Sequence, residues 1–172
     1  MSTEIIINKE SASDIDQVRK VNIAAFGRND EARLVDRLRN TGIPYISLTA
    51  IKEHEVIGHI LFTRVELSGY EGELNLTGLG PMAVRPEYQG FGIGTRLVKH
   101  GLSECNNSDS DAVVVLGHPE YYQRFGFVPS ASYGIHSEFE VPSEAFMILE
   151  LKPAVLTGKM GVIKYHELFN SV

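Results

Sequence analysis

A chain of 172 residues, 43% hydrophobic and 22% charged, has the makeup of one globular domain with a sizeable core. Its net charge of −6 speaks against nucleic acid, whose phosphate backbone calls for a basic face, and no apolar run approaches the roughly 20 residues that span a bilayer. Cys105 is the single cysteine, which excludes an intrachain disulfide and a cysteine zinc cage; with a start, Met1-Ser2-Thr3-Glu4, unlike a signal peptide, it points to a reducing cytoplasm.

Residues 4–8 are Ile-rich and read as a strand. Ser13 and Asp16 make a capping-box-like start to a helix carrying Ile15, Val18, Asn22, Ala25 and Phe26 at helical spacing. Residues 27–30 break it, and a second helix with Leu34, Val35 and Leu38 on one face is expected to stop near Gly42, before Pro44. Strand patterns at 45–51 and 56–66 flank a turn at Glu53-His54 and predict a hairpin. A third strand pattern at 74–84 is interrupted by Gly78, Gly80 and Pro81, which predicts a bulge or bend.

From about residue 92 to 104 the pattern is again helical, with Leu97, Val98, Gly101, Leu102 and Cys105 on one side. The apolar run 112–116 reads as a strand buried on both faces. A short helix follows at 119–124, then a strand around Phe127, an irregular stretch at 129–144 and strands at 146–151 and 162–165. The order β-α-α-β-β-β-α-β-α-β-β describes a mixed α/β (α+β) layered domain spanning 1–172, with 152–172 as an extension carrying one more strand.

The most informative segment is Met82-Ala83-Val84-Arg85-Pro86-Glu87-Tyr88-Gln89-Gly90-Phe91-Gly92-Ile93-Gly94-Thr95. A strand passes through a glycine-rich turn directly into a helix start. First-turn N–H groups lack intrahelical acceptors and the macrodipole favours negative charge there, so this is a place for a phosphate. Glycine at 90, 92 and 94 keeps side chains out of the way. A dinucleotide fingerprint needs its third glycine one residue later and early in a βαβ unit, and a P-loop needs a lysine that Gly94-Thr95-Arg96 lacks.

Gln89-x-x-Gly92-x-Gly94 resembles the acyl-CoA signature of the GCN5-related N-acetyltransferase (GNAT) superfamily, and it lies after the fourth strand and at the start of the third helix, as in that family. Some 30 residues on, Tyr122-Gln123-Arg124-Phe125-Gly126-Phe127 resembles the family's Tyr-x-x-x-Gly-Phe element. Residues 116–122 and 161–166 are most similar to the YhbS-type group of predicted acetyltransferases. The resemblance implies a mixed, centrally split sheet flanked by helices, and acetyl-CoA as co-substrate without a metal. Its pyrophosphate would lie on the backbone N–H groups of Gly90, Phe91, Gly92, Ile93, Gly94 and Thr95. Its pantetheine arm would pair, strand-like, with the main chain of Met82, Ala83 and Val84.

The implied chemistry is direct attack of an amine on the thioester. Lysine-like amines are protonated at neutral pH, so a base must act, either a carboxylate or a water chain. The expelled thiolate needs an acid, for which Tyr122 holds the family's position, with Tyr121 as a packing neighbour. The oxyanion needs a fixed donor, for which a strand N–H near Met82–Val84 would serve. Glu73 is the candidate carboxylate base, and a water relay is the alternative. Cys105 reads as a core thiol, His118 as a cap for the following helix or else a substrate contact, and His54, His59 and His100 have no metal-ligand spacing.

The loops at 26–31 and 133–144 would shape the acceptor site. Glu138, Glu140 and Glu144 in the second favour a cationic or primary-amine acceptor, small molecule or protein, and a homodimer is compatible with this reading. A different class of function, an acyl-CoA sensor that binds without turnover, would use the same glycine turn.

Overall fold

The structure, a computed structural model, describes residues 4–172; Met1, Ser2 and Thr3, which entered the reading of the N-terminus, lie outside the described residues. The chain forms two compact units. The first runs up to Phe62 and includes Gly80–Ser103 and Glu167–Val172; the second comprises Thr63–Leu79 and Glu104–His166.

In the first unit, strand β1 (Ile6–Lys9) leads through a 3-10 turn into helix α1 (Ile15–Phe26). The cap is set by Ser11, whose N–H donates to the Asp14 carboxylate at 2.9 Å. The expected Ser13–Asp16 box does not form, because the 3-10 turn moves the cap upstream. Ser13 shares a hydroxyl contact with Ser11 at 2.9 Å, and Asp16 accepts from Arg19 at 2.8 Å. Helix α1 closes on Gly27 at φ 70°, whose N–H donates to Ile23.

Helix α2 (Asp30–Leu38) has Asp30 and Glu31 in its first turn and Arg37 in its last, as the dipole favours. It stops short of the expected Gly42. Asn40 and Thr41 donate side-chain hydrogen bonds back to the Asp36 and Leu38 carbonyls and close the helix end there.

Strands β2 (Tyr45–Lys52) and β3 (Glu55–Ser68) form the expected hairpin, with Glu53 at φ 50° and His54 at φ 67°. Two left-handed residues in succession are what a two-residue turn between twisted strands requires. Strand β1 pairs antiparallel with β2 from Ile6↔Ile51 to Lys9↔Leu48. Val18, Val21, Leu34, Val35, Leu38, Val56, Leu61 and Ala83 make the apolar core of this unit. Helix α3 (Ile93–Asn107) lies tight on β3. A Cβ on Gly101 would fall 2.1 Å from the Phe62 ring, so only glycine permits that approach.

A buried polar chain crosses the same unit. The Asn22 amide donates to the Val18 carbonyl at 3.0 Å and stands 3.2 Å from His59 Nδ1, while His59 Nε2 stands 2.8 Å from Ser47 Oγ. Ser47 donates to Glu10, which also accepts from Arg39. With both Asn22 hydrogens directed at acceptors, His59 Nδ1 accepts and its proton sits on Nε2. Burial, and then the positive charge of Arg39, push the His59 pKa down to about 3.

The second unit is built on the C-terminal part of β3, the first part of β4 (Leu76–Val84), β5 (Ala112–Leu116), β8 (Phe146–Glu150) and β6 (Val128–Pro129), in the order β3-β4-β5-β8-β6. The β4/β5 pair is parallel and its register runs from Leu76↔Ala112 to Leu79↔Val115; β5/β8 and β6/β8 are antiparallel. Beyond Leu79, Gly80 adopts φ 141° and the Gly80–Pro81 bond is cis, within a strand that runs unbroken to Val84.

Residues 129–144, read as irregular, contain a further strand, β7 (Ile135–Ser137). It pairs in parallel with β9 (Gly161–Lys164), and β9 pairs antiparallel with Glu66–Ser68 of β3. Three residues carry no periodic signal, and β7 exists because β9 offers it an edge. Leu76, Ala112, Val114, Ile135, Phe146, Ile148 and Ile163 are among the residues of this unit's core. Among the described residues no helix is long and apolar enough to cross a membrane.

Candidate functional site

The stretch from Met82 to Thr95 lies in the first unit, whereas Glu73 and Tyr122 belong to the second. Met82 and Val84 are half-buried in β4, and Ala83 between them is buried in the core. Arg85 follows with its N–H donating to the Ile57 carbonyl at 2.9 Å. Its guanidinium is spoken for: it pairs with Glu87 at 2.5 Å and Glu55 at 3.3 Å and lies 5.6 Å over the Tyr88 ring. Arg85 is therefore a strut for the turn. Gln89 closes the turn, donating from Nε2 to the Val84 carbonyl at 2.9 Å.

Gly90 and Gly92 take φ 84° and 81°, where other residues are strained, and a Cβ at either would meet open space. The reason for glycine differs along the turn. Gly90 and Gly92 supply left-handed backbone, while Gly94, expected to act with them, sits inside the first turn of α3 without a positive φ. The Arg96 N–H donates to the Gly92 carbonyl at 3.1 Å, so the N–H groups of Ile93 and Gly94 project from the end of the helix. Helix α3 also has no acidic residue in its first turn, unlike α2. Its N-terminal end thus keeps its partial positive charge uncompensated.

In the second unit, helix α4 (Pro119–Tyr122) starts at His118. The expected side-chain cap is not made: the His118 side chain caps nothing, and its backbone carbonyl accepts from Tyr121 and Tyr122 at 3.1 Å. Tyr122 is buried, packed edge-on against Tyr121 at 5.0 Å and Phe127 at 5.7 Å. Burial, with a smaller contribution from the Tyr121 phenol, pushes the Tyr122 hydroxyl well above the usual phenol value, so it stays protonated.

A residue missed by the sequence reading explains its seat. A Cβ on Gly117 would lie 2.4 Å from the Tyr122 ring, so glycine there lets the ring lie against the backbone leaving β5. The signal was its place five residues before the tyrosine. Tyr121, by contrast, lines an open groove with His118, Pro119, Glu120 and Arg124, and the Arg124 guanidinium lies 5.0 Å over its ring.

Glu73 stands exposed in the loop ahead of β4, as a solvated charge. Cys105 is buried, and burial, then Glu104, push its thiol up to about 12, as a core thiol should behave. In the loop at 26–31, Arg28 forks onto Glu31 at 2.9 and 2.5 Å and holds that carboxylate below its usual value. In the loop at 133–144, Glu138 accepts from the Tyr165 N–H at 2.6 Å, while Glu140 and Glu144 are exposed. Glu138 is thus part of the scaffold rather than one of three equivalent acids.

The model of the acetyltransferase (GNAT) domain matches residues 7–130. The chain is 39% identical over 161 residues to the uncharacterized N-acetyltransferase YjhQ of Escherichia coli, covering 89% of this chain and 87% of that protein. The crystal structure of the GNAT family N-acetyltransferase YhbS from Escherichia coli, in complex with CoA, superposes with a TM-score of 0.93 at 32% identity, over 99% of this chain and 94% of that one. A GNAT family acetyltransferase from Brucella melitensis, in complex with acetyl-CoA, matches at 32% identity and a TM-score of 0.80, covering 96% of this chain and 98% of its own. With the family model over residues 7–130 and relatives matched over most of their length, the chain belongs to the GNAT acetyltransferases.

Proposed function

We propose that the protein moves an acetyl group from acetyl-CoA to a primary amine by direct attack through a tetrahedral intermediate. The observation that carries this reading is the turn from Gln89 to Gly94, with two glycines in the left-handed region and helix N–H groups projecting beyond them. The CoA and acetyl-CoA bound in the two related structures support the choice of co-substrate. The residues fit such a ligand, because neither Gly90 nor Gly92 has an atom where a Cβ would stand. On this reading the backbone from Gly90 to Thr95 holds the diphosphate, and the main chain of Met82 to Val84 aligns the pantetheine arm and offers the oxyanion a donor.

Bound acetyl-CoA supplies an activated acyl carbon and a thiolate leaving group. The chain's own share is to hold a proton in place: the Tyr122 hydroxyl, protonated at neutral pH as any phenol is, gives that proton to the departing sulfur. Removal of the amine proton falls to water, because Glu73 stands in open solvent. The acceptor is an amine of a small molecule or a protein, and the exposed Glu140 and Glu144 favour a cationic one.

The test is CoA release from acetyl-CoA across a panel of cationic, neutral and acidic amines, with wild type, Tyr122→Phe and Tyr121→Phe. Tyr122→Phe is expected to keep acetyl-CoA affinity within about twofold and to lose turnover by about 10²–10⁴-fold. Tyr121→Phe keeps both. Equal loss in the two variants would sink the acid role of Tyr122. Tight acetyl-CoA binding without turnover on any amine would make the protein a sensor.

A further inference from the structure

The most exposed large apolar side chain among the described residues is Phe91, at 76%. It stands inside the glycine turn, as the one side chain of Gly90-Phe91-Gly92. Its backbone is held on both sides. Gln89 is tied to the Val84 carbonyl before it, and the Gly92 carbonyl accepts from Arg96 after it. The flanking glycines at φ 84° and 81° turn the chain so that nothing stands within 4 Å of either Cβ position. The Phe91 ring makes no ring–ring or cation–ring contact with a described residue, whereas Tyr88, three residues earlier, has both Lys52 and Arg85 over its ring, at 5.3 and 5.6 Å. A largely exposed phenyl ring on a backbone held from both sides, next to backbone that would hold a diphosphate, is a surface on which a planar group can stack.

We propose that Phe91 is the stacking surface for the adenine base of coenzyme A. This inference rests on the reading that the turn binds the CoA diphosphate, and it assigns the adenosine end of that same ligand. The base is separated from the diphosphate by one ribose, which brings it within reach of the residue beside the phosphate-binding N–H groups. Adenine has no net charge and a broad π face, and an aromatic side chain recognises it by stacking rather than by hydrogen bonds.

The experiment is titration calorimetry of CoA and of 4′-phosphopantetheine, which lacks the 3′-phosphoadenosine and one phosphate of the diphosphate, with wild type, Phe91→Ala and Phe91→Trp. Since Phe91 is largely exposed, all three are expected to fold alike, which thermal melts verify. Phe91→Ala is expected to weaken CoA about tenfold and to leave 4′-phosphopantetheine within twofold, and Phe91→Trp to restore CoA binding. CoA affinity indifferent to Phe91→Ala, or an equal loss for both ligands, overturns the stacking role alone. A wild type that takes up neither ligand overturns the cofactor reading, and this inference falls with it.

Discussion

His59 makes the fold sensitive to acid in a way that can be isolated. Its ring is fully buried, Nδ1 faces the Asn22 amide, and burial with Arg39 holds its pKa at about 3. In the unfolded chain a histidine takes its proton near pH 6.5. Between these two values the unfolded chain carries the extra proton and the folded one does not. Stability is therefore full above about pH 6.5 and falls as the pH drops towards 3, by at most about 1.4 kcal/mol per pH unit. From pH 7 to pH 4.5 His59 removes about 2.5 kcal/mol, against a total stability on the order of 5–15 kcal/mol.

The perturbation is His59→Gln, whose amide offers Asn22 an acceptor and Ser47 a donor but does not titrate. Urea unfolding of both proteins at pH 7 and pH 4.5 gives the comparison. The wild type should lose about 2–3 kcal/mol more than the variant over that interval, equivalent to roughly 5–10 °C in Tm. Since Glu10 and the other carboxylates remain in both proteins, their titration cancels. Parallel losses in wild type and His59→Gln would refute the argument that the buried imidazole resists protonation.

Two further expectations follow from single residues. Glu53 and His54 hold left-handed backbone that glycine and asparagine adopt more readily, so the double change Glu53→Asn, His54→Gly should stabilise the hairpin by about 1–2 kcal/mol, read as a rise of several degrees in Tm. An unchanged or lower Tm would show that other contacts set the turn. Cys105, with its thiol pushed up to about 12, should resist Ellman's reagent at pH 8 until urea unfolds the chain, and Cys105→Ala should keep turnover within twofold; rapid modification of the native protein, or lost turnover, would contradict a core role.

Much of this molecule is legible in the chain itself because its signals are local. The helical spacing of Leu34, Val35 and Leu38, the hairpin around Glu53-His54, and the strand-turn-helix at Val84–Ile93 each depend on residues within a few positions of one another. The same holds for the family, whose two motifs are contiguous strings. Gly90 and Gly92 hold left-handed backbone without a distant partner in the fold, so sequence suffices to place them.

What the tertiary structure decided depends on distant partners. Strand β7 is three residues long and is defined by β9, some 25 positions later. Gly117 matters only because the Tyr122 ring lies where its side chain would be, and Gly101 only because Phe62 does. Glu138 is a scaffold acceptor because Tyr165 comes to it, and His59 is neutral because Asn22, Ser47 and Arg39 close around it. Sequence spacing records how far apart residues are along the backbone, whereas close packing and desolvation depend on how far apart they are in space, and only the folded chain specifies that second distance.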